Sequence, residues 1–119
     1  MERSWDTVRE ILLKIEQLEP NAQLTLNDFD KERGHEIAYH IKLLESAGLI
    51  EVALSKTISQ APTDFFAKSM TWSGHEFLDS IRVESTWEKT KSLISQKGGV
   101  MTFDVIKSVA ASMIGGTLA

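Results

Sequence analysis

Cysteine is absent from this chain, which excludes disulfides, thiolate metal sites and a cysteine nucleophile. Positive charge is short as well: 13 Lys and Arg stand against 17 Asp and Glu, for a net charge of −4. Non-specific nucleic-acid binders are ordinarily basic, because phosphate neutralisation supplies their affinity, so any such binding here has to come from a local patch. No apolar run approaches the length of a membrane span, and even Val100 to Ala119 carries Asp104 and Lys107. The first residues are charged and amphipathic and do not read as a secretory signal. No low-complexity linker divides the sequence and no internal repeat is found, although Gly-His-Glu occurs at both residue 34 and residue 74. Together these absences predict a cytoplasmic protein with no membrane partner.

What is present is ordinary globular material. At 119 residues, 42% apolar and 25% charged, one domain is expected, with a core over residues 5–83 and a helical extension over 84–119. The first helix is predicted from Trp5 to Leu18, with Trp5, Val8, Ile11, Leu12, Ile15 and Leu18 on one face. Ser4 caps it, Asp6 favours its first turn, and Pro20-Asn21 stops it. Ala22 to Phe29 alternates in part and reads as a short strand. Between Asp28 and the next helix there is room for a single helical turn at most, or that helix begins directly near Lys31.

Residues 31–47 form the central helix. Ile37, Ile41, Leu43, Leu44 and Ala47 gather on its core side, and Gly48 ends it. Leu49 to Leu54 and Phe65 to Trp72 read as strands of a hairpin, joined by the polar loop Ser55 to Asp64. Ser73 and Glu76 have the spacing of a capping box, opening a helix that buries Phe77, Leu78 and Ile81. A further helix is capped by Ser85 or Thr86, carries Trp87, Leu93 and Ile94, and ends at Lys97-Gly98-Gly99. The last runs from about Phe103 to Ile114 and stops at Gly115-Gly116. This order predicts an α+β class: a winged-helix-like domain with a β-hairpin wing and extra C-terminal helices.

Chemistry-bearing patterns are sparse. His35 and His40 are five residues apart and diverge on a helix. His75-Glu76 is followed by Asp79 where a zinc protease would need a second histidine, so no metal site is expected. His40 falls on the apolar side of its helix and reads as a hydrogen-bonded core histidine. Neither a Gly-x-Ser-x-Gly elbow nor a phosphate-cradling glycine loop occurs, so neither an enzyme nor a cofactor is expected. Opposite the core stripe of the central helix lie Lys31, His35, Tyr39, Lys42 and Ser46. Arg33 stands at its entrance, and Lys56 and Lys68 lie in or beside the wing. These side chains can meet phosphates and base edges, and they are the candidate DNA contacts. The same face also reads as a plain solvated surface.

Two stretches bring a family resemblance. One is Tyr39-His40-Ile41-Lys42-Leu43-Leu44 followed by Ala47-Gly48-Leu49-Ile50; the other is Thr71-Trp72-Ser73-Gly74-His75-Glu76-Phe77-Leu78-Asp79-Ser80-Ile81-Arg82. With Arg9 to Leu13 before them, and Trp87, Lys89-Thr90-Lys91 and Gly98-Gly99 behind, nearly the whole chain resembles a bacterial and phage-associated domain family of unknown function. The resemblance implies a phage or prophage setting and a winged-helix-like fold, and no reaction. More loosely, Leu-Leu-x-x-Ala-Gly-Leu-Ile is similar to the end of the recognition helix in winged-helix transcription regulators. Two functions are therefore expected as alternatives. One is a DNA-binding or transcription-regulatory accessory protein acting on double-stranded DNA. The other is a non-catalytic protein-interaction adaptor, in which the C-terminal helices, Trp87 and the long hairpin meet a partner or form a homodimer.

Overall fold

The computed structural model describes residues 1–55 and 60–118. Among these are five α-helices: α1 Trp5–Glu16, α2 Gly34–Ser46, α3 Trp72–Ile81, α4 Glu84–Gln96 and α5 Phe103–Leu118. Three strands, β1 Leu24–Thr25, β2 Ile50–Leu54 and β3 Phe65–Met70, form one antiparallel sheet in the order β1-β3-β2. The mixed α+β class is as predicted. The chain divides into two compact units, Met1–His75 and Glu76–Ala119.

In the first unit, α1 begins as its sequence dictates. Ser4 is the N-cap and its hydroxyl accepts from the Thr7 amide at 3.3 Å. The helix ends at Glu16, earlier than Leu18, with Gln17 as C-cap. Pro20 and Asn21 then occupy the two central positions of a turn closed by the Ala22 amide on the Glu19 carbonyl at 3.0 Å, with Asn21 at φ +70°. Proline and a left-handed asparagine in that order suit a type II turn.

The expected strand Ala22–Phe29 is cut to Leu24–Thr25. Asp28 is the reason: its carboxylate accepts from the Thr25 amide at 2.8 Å and closes a capping box, which pulls Leu26–Asp28 into a 3-10 turn. A second 3-10 turn, Lys31–Arg33, leads directly into α2. No full helix lies between β1 and α2; two tight turns stand in that place.

α2 ends as predicted. Gly48 adopts φ +74°, its amide bonds the Glu45 carbonyl at 2.9 Å, and the Leu49 amide bonds Leu44 at 3.0 Å. This pair is a Schellman motif, and it needs the left-handed glycine. Ala47, expected in the core, is the exposed C-cap instead. In the hairpin, Glu51 pairs with Ser69 but Val52 pairs with Ala67, so Lys68 is the extra residue of a bulge. The bulge shifts the alternation by one position. Phe65, Ala67 and Met70 therefore all face the core, while Phe66 and Lys68 face solvent. The unit's core joins Ile11, Leu12, Ile37, Ile41, Leu44 and Phe65, each buried. Burial of each such side chain contributes roughly 1.5–3 kcal/mol.

The cap of α3 lies two residues before the expected one. Thr71 is the residue that caps it: its hydroxyl accepts from the Gly74 amide at 3.1 Å and donates to the Gly48 carbonyl at 2.5 Å. Ser73 lies inside the first turn, so the Ser73/Glu76 box is misplaced.

The second unit is helical. α4 starts at Glu84, with Val83 as N-cap, ahead of Ser85 and Thr86. It ends on Lys97 and Gly98 (φ +68°) in another Schellman pair, with the Gly99 amide on Ile94 at 3.0 Å. α5 is capped by Thr102 and continues past the expected stop at Gly115-Gly116 to Leu118. Glycine within a helix costs about 1 kcal/mol relative to alanine without forbidding the conformation. Phe77 stacks on Phe103 at 4.6 Å, and Trp87 and Ile106 are buried.

Candidate functional site

α2 presents the predicted stripe. Lys31, His35, Lys42 and Ser46 are exposed and Tyr39 is half-buried, on the side opposite Ile37, Ile41 and Leu44. Because a helix turns every 3.6 residues, His35, Tyr39 and Lys42 stand one above another. All three line a shallow hollow of about 290 Å³, together with Met1, Ala38, Gln60, Ala61 and Thr63. The returning arm of the hairpin loop therefore shares a wall with this stripe. Lys31 lies apart from that hollow, in a neighbouring cleft of about 510 Å³ with Leu26, Phe29, Asp30, Gly34 and Pro62.

The other candidates go elsewhere. Lys68 sits at the bulge and lines hollows formed with residues 21–23 of the α1–β1 connection, none of which contains an α2 residue. Lys56 lies outside the described residues.

Arg33 is engaged within the protein. Its guanidinium grips Glu10 through two parallel bonds of 2.9 and 2.8 Å, and reaches Glu36 through Nε at 3.1 Å and a terminal nitrogen at 3.0 Å. Four of its donor hydrogens are thereby used, in the fork geometry that only arginine offers. The hydrogen bonds it donates to both carboxylates push its pKa further up. Glu36 responds in the opposite sense. The Arg33 bonds, then a 2.7 Å bond from the Thr7 hydroxyl, hold its carboxyl down at about 2, against an ordinary value of 4.5. Arg33 thus fastens α1 to the start of α2.

His40 completes this seam, as a buried residue at 1% exposure. Its Nε2 accepts from the Ser4 amide at 2.7 Å, and its Nδ1 lies 2.7 Å from the Glu36 carbonyl. A carbonyl only accepts, so the geometry requires the tautomer with hydrogen on Nδ1. The ring also meets Tyr39 edge-on at 5.5 Å. The core-histidine expectation is realised, with both nitrogens occupied.

Glu10, Thr7 and Glu36 were absent from the sequence reading. Arg33 and Glu36 carry a visible i,i+3 signal. Glu10 lies 23 residues from Arg33 and offers no local signal. Two glycines were also missed. A Cβ at Gly34 would lie 2.8 Å from Pro62 Cγ, and one at Gly74 would lie 2.1 Å from the Leu49 carbonyl oxygen. Trp87, a proposed partner contact, is buried at 1% exposure, whereas Trp72 is 80% exposed. No helix among the described residues is long and apolar enough to cross a membrane.

Comparison with known proteins places this geometry in a family. A Haemophilus influenzae protein, described as an uncharacterized protein, is 39% identical over 120 residues, covering all of both chains. No solved structure matches. Residues 2–100 match the family described as "Hypothetical protein (DUF2513)". The chain belongs to this DUF2513 family, whose function is unknown.

Proposed function

We propose that this chain is a winged-helix-like, non-catalytic DNA-binding accessory protein that presents α2 to double-stranded DNA. The order α1-β1-α2-β2-β3, with β3 central in the sheet, supports the winged-helix reading. The observation that carries the functional reading is the stripe of exposed His35, Lys42 and Ser46 with half-buried Tyr39 on α2, and exposed Lys31 on the turn before it, while Thr7 and Glu10 of α1 bond Glu36 and Arg33 at the start of the helix. Lysine can neutralise a phosphate or meet guanine, and histidine, tyrosine and serine can bond phosphates or base edges. The phage or prophage setting and the cytoplasmic location follow the resemblance and the composition.

The test is fluorescence anisotropy of a labelled random duplex at low and moderate salt. Binding should weaken with a log–log slope of about −2, the value for two phosphates neutralised by Lys31 and Lys42. Lys42→Glu should abolish it. Absence of binding at low salt and high protein concentration would remove this reading.

An adaptor function is favoured by a different observation, the 80% exposure of Trp72. Tryptophan is enriched among the residues that dominate protein interfaces. Under that reading, partner capture is insensitive to salt and to Lys42→Glu, and is lost in Trp72→Ala.

A further inference from the structure

The segment 60–63 runs beside the α2 stripe. Gln60, Ala61 and Thr63 line the same hollow as His35, Tyr39 and Lys42, and Pro62 between them is seated against Gly34. The seat is close: a methyl group at residue 34 would reach within 2.8 Å of the proline ring. A DNA major groove is about 12 Å wide and an α-helix with its side chains is about 10–12 Å across. One helix fills such a groove. A helix with residues 60–63 standing at the flank of its exposed side is wider than the groove. The stripe can therefore reach base edges only if the arm moves away.

We propose that residues 60–63 form a displaceable strap, pinned by Pro62 on Gly34, that holds the α2 face in a closed, weakly binding state. This rests on the DNA reading for its consequence, but the strap itself is a matter of geometry. Gly34 is the natural pin. It already has helical dihedrals, φ −53° and ψ −49°, so alanine fits its backbone and meets only Pro62. Gly34→Ala should push the strap off while leaving α2 intact. Pro62→Gly should release it from the other side.

Tyr39 lines the hollow and is the single tyrosine of the chain, which makes it a built-in reporter. Nitration of the full-length protein by tetranitromethane, read as nitrotyrosine absorbance, measures how open the stripe is. Duplex anisotropy on the same samples measures the consequence, and circular dichroism melts confirm the fold of each variant. Both variants should nitrate faster and bind duplex more tightly, by up to about tenfold if the closed state dominates ten to one. Unchanged nitration in both variants overturns the strap, whatever DNA does. Faster nitration with unchanged or weaker duplex binding overturns its inhibitory role and leaves the DNA reading standing. If no protein binds any duplex, the DNA reading fails and the inhibitory role falls with it, while nitration still reports whether the arm covers the stripe.

Discussion

Gly34-His35-Glu36 and Gly74-His75-Glu76 are the same three letters, and each lies near the start of a helix. They are held by different means. The start of α2 is fastened by side chains: Arg33 to Glu10 and Glu36, Thr7 to Glu36, and Pro62 against Gly34. The start of α3 is fastened against backbone, with the Thr71 hydroxyl bonded to the Gly48 carbonyl and the Gly74 amide. Gly74 sits where a Cβ would come 2.1 Å from the Leu49 carbonyl oxygen, and that oxygen also accepts the Thr71 amide at 3.0 Å. Side chains rotate and yield, whereas a hydrogen-bonded carbonyl between a helix end and a strand does not. One tripeptide therefore marks an adjustable seam and the other a fixed joint.

The largest expected effect is at the fixed joint. Gly74→Ala forces apart two backbone segments and should cost about 3 kcal/mol or more, a large share of a small domain's stability. Urea unfolding would register this as a lower midpoint with little change in slope. A midpoint equal to wild type would mean that the Leu49 carbonyl moves freely, and the contrast between the two glycines would collapse.

At the adjustable seam, His40→Leu comes next. It leaves the Ser4 amide and the Glu36 carbonyl without the partner they have now, in a site 1% exposed. A loss of about 2 kcal/mol is expected from unsatisfied buried groups. Amide exchange at the first turn of α1 should accelerate while α3 is unaffected; equal acceleration in both would erase the distinction.

Arg33→Met should cost less, about 1 kcal/mol, because its ion pairs are a third exposed and partly screened by solvent. Its sharper signature is in acid. The carboxyl of Glu36 is held at about 2, below its ordinary 4.5, mainly by Arg33. A depressed carboxylate adds stability above its unfolded value and forfeits it as pH falls through the folded one. Wild-type stability should therefore decline between about pH 4.5 and 2. In Arg33→Met that decline should shrink, and in Thr7→Val it should shrink by a smaller amount. An identical acid profile in Arg33→Met would show that the ion pair is not what lowers Glu36.

How far all this was legible follows from where each signal lies in the chain. Gly48 and Gly98 ended their helices as read, because the left-handed turn is a local demand that glycine meets most readily. Ser4 was legible as a cap because its hydroxyl answers an equally local demand, the unpaired amides of the first turn. The α3 cap was misread because Thr71 and Ser73 are both plausible by composition. The choice was made by long-range contact: Thr71 also bonds the Gly48 carbonyl, and its amide bonds Leu49. The α2 stripe was legible from periodicity, but the engagement of Arg33 was not, since Glu10 arrives from another helix. Gly34 and Gly74 could not be told apart in the sequence, because Pro62 and Leu49 approach them only in the folded chain.

The smallest effect is also the one that best separates the two glycines. Gly34→Ala should gain up to about 1 kcal/mol in helix propensity and lose a similar amount in moving Pro62, for a net change near zero. Those two contributions can be uncoupled. In a Pro62→Gly background the obstacle is gone, and Gly34→Ala should then stabilise by roughly the whole propensity gain. The double-mutant cycle should accordingly give a coupling of about 1 kcal/mol, found by comparing melts of the four proteins. Additivity within error would mean that the proline is not what confronts residue 34. No such rescue exists for Gly74, because its obstacle is a carbonyl oxygen, and every residue placed at position 49 brings the same one.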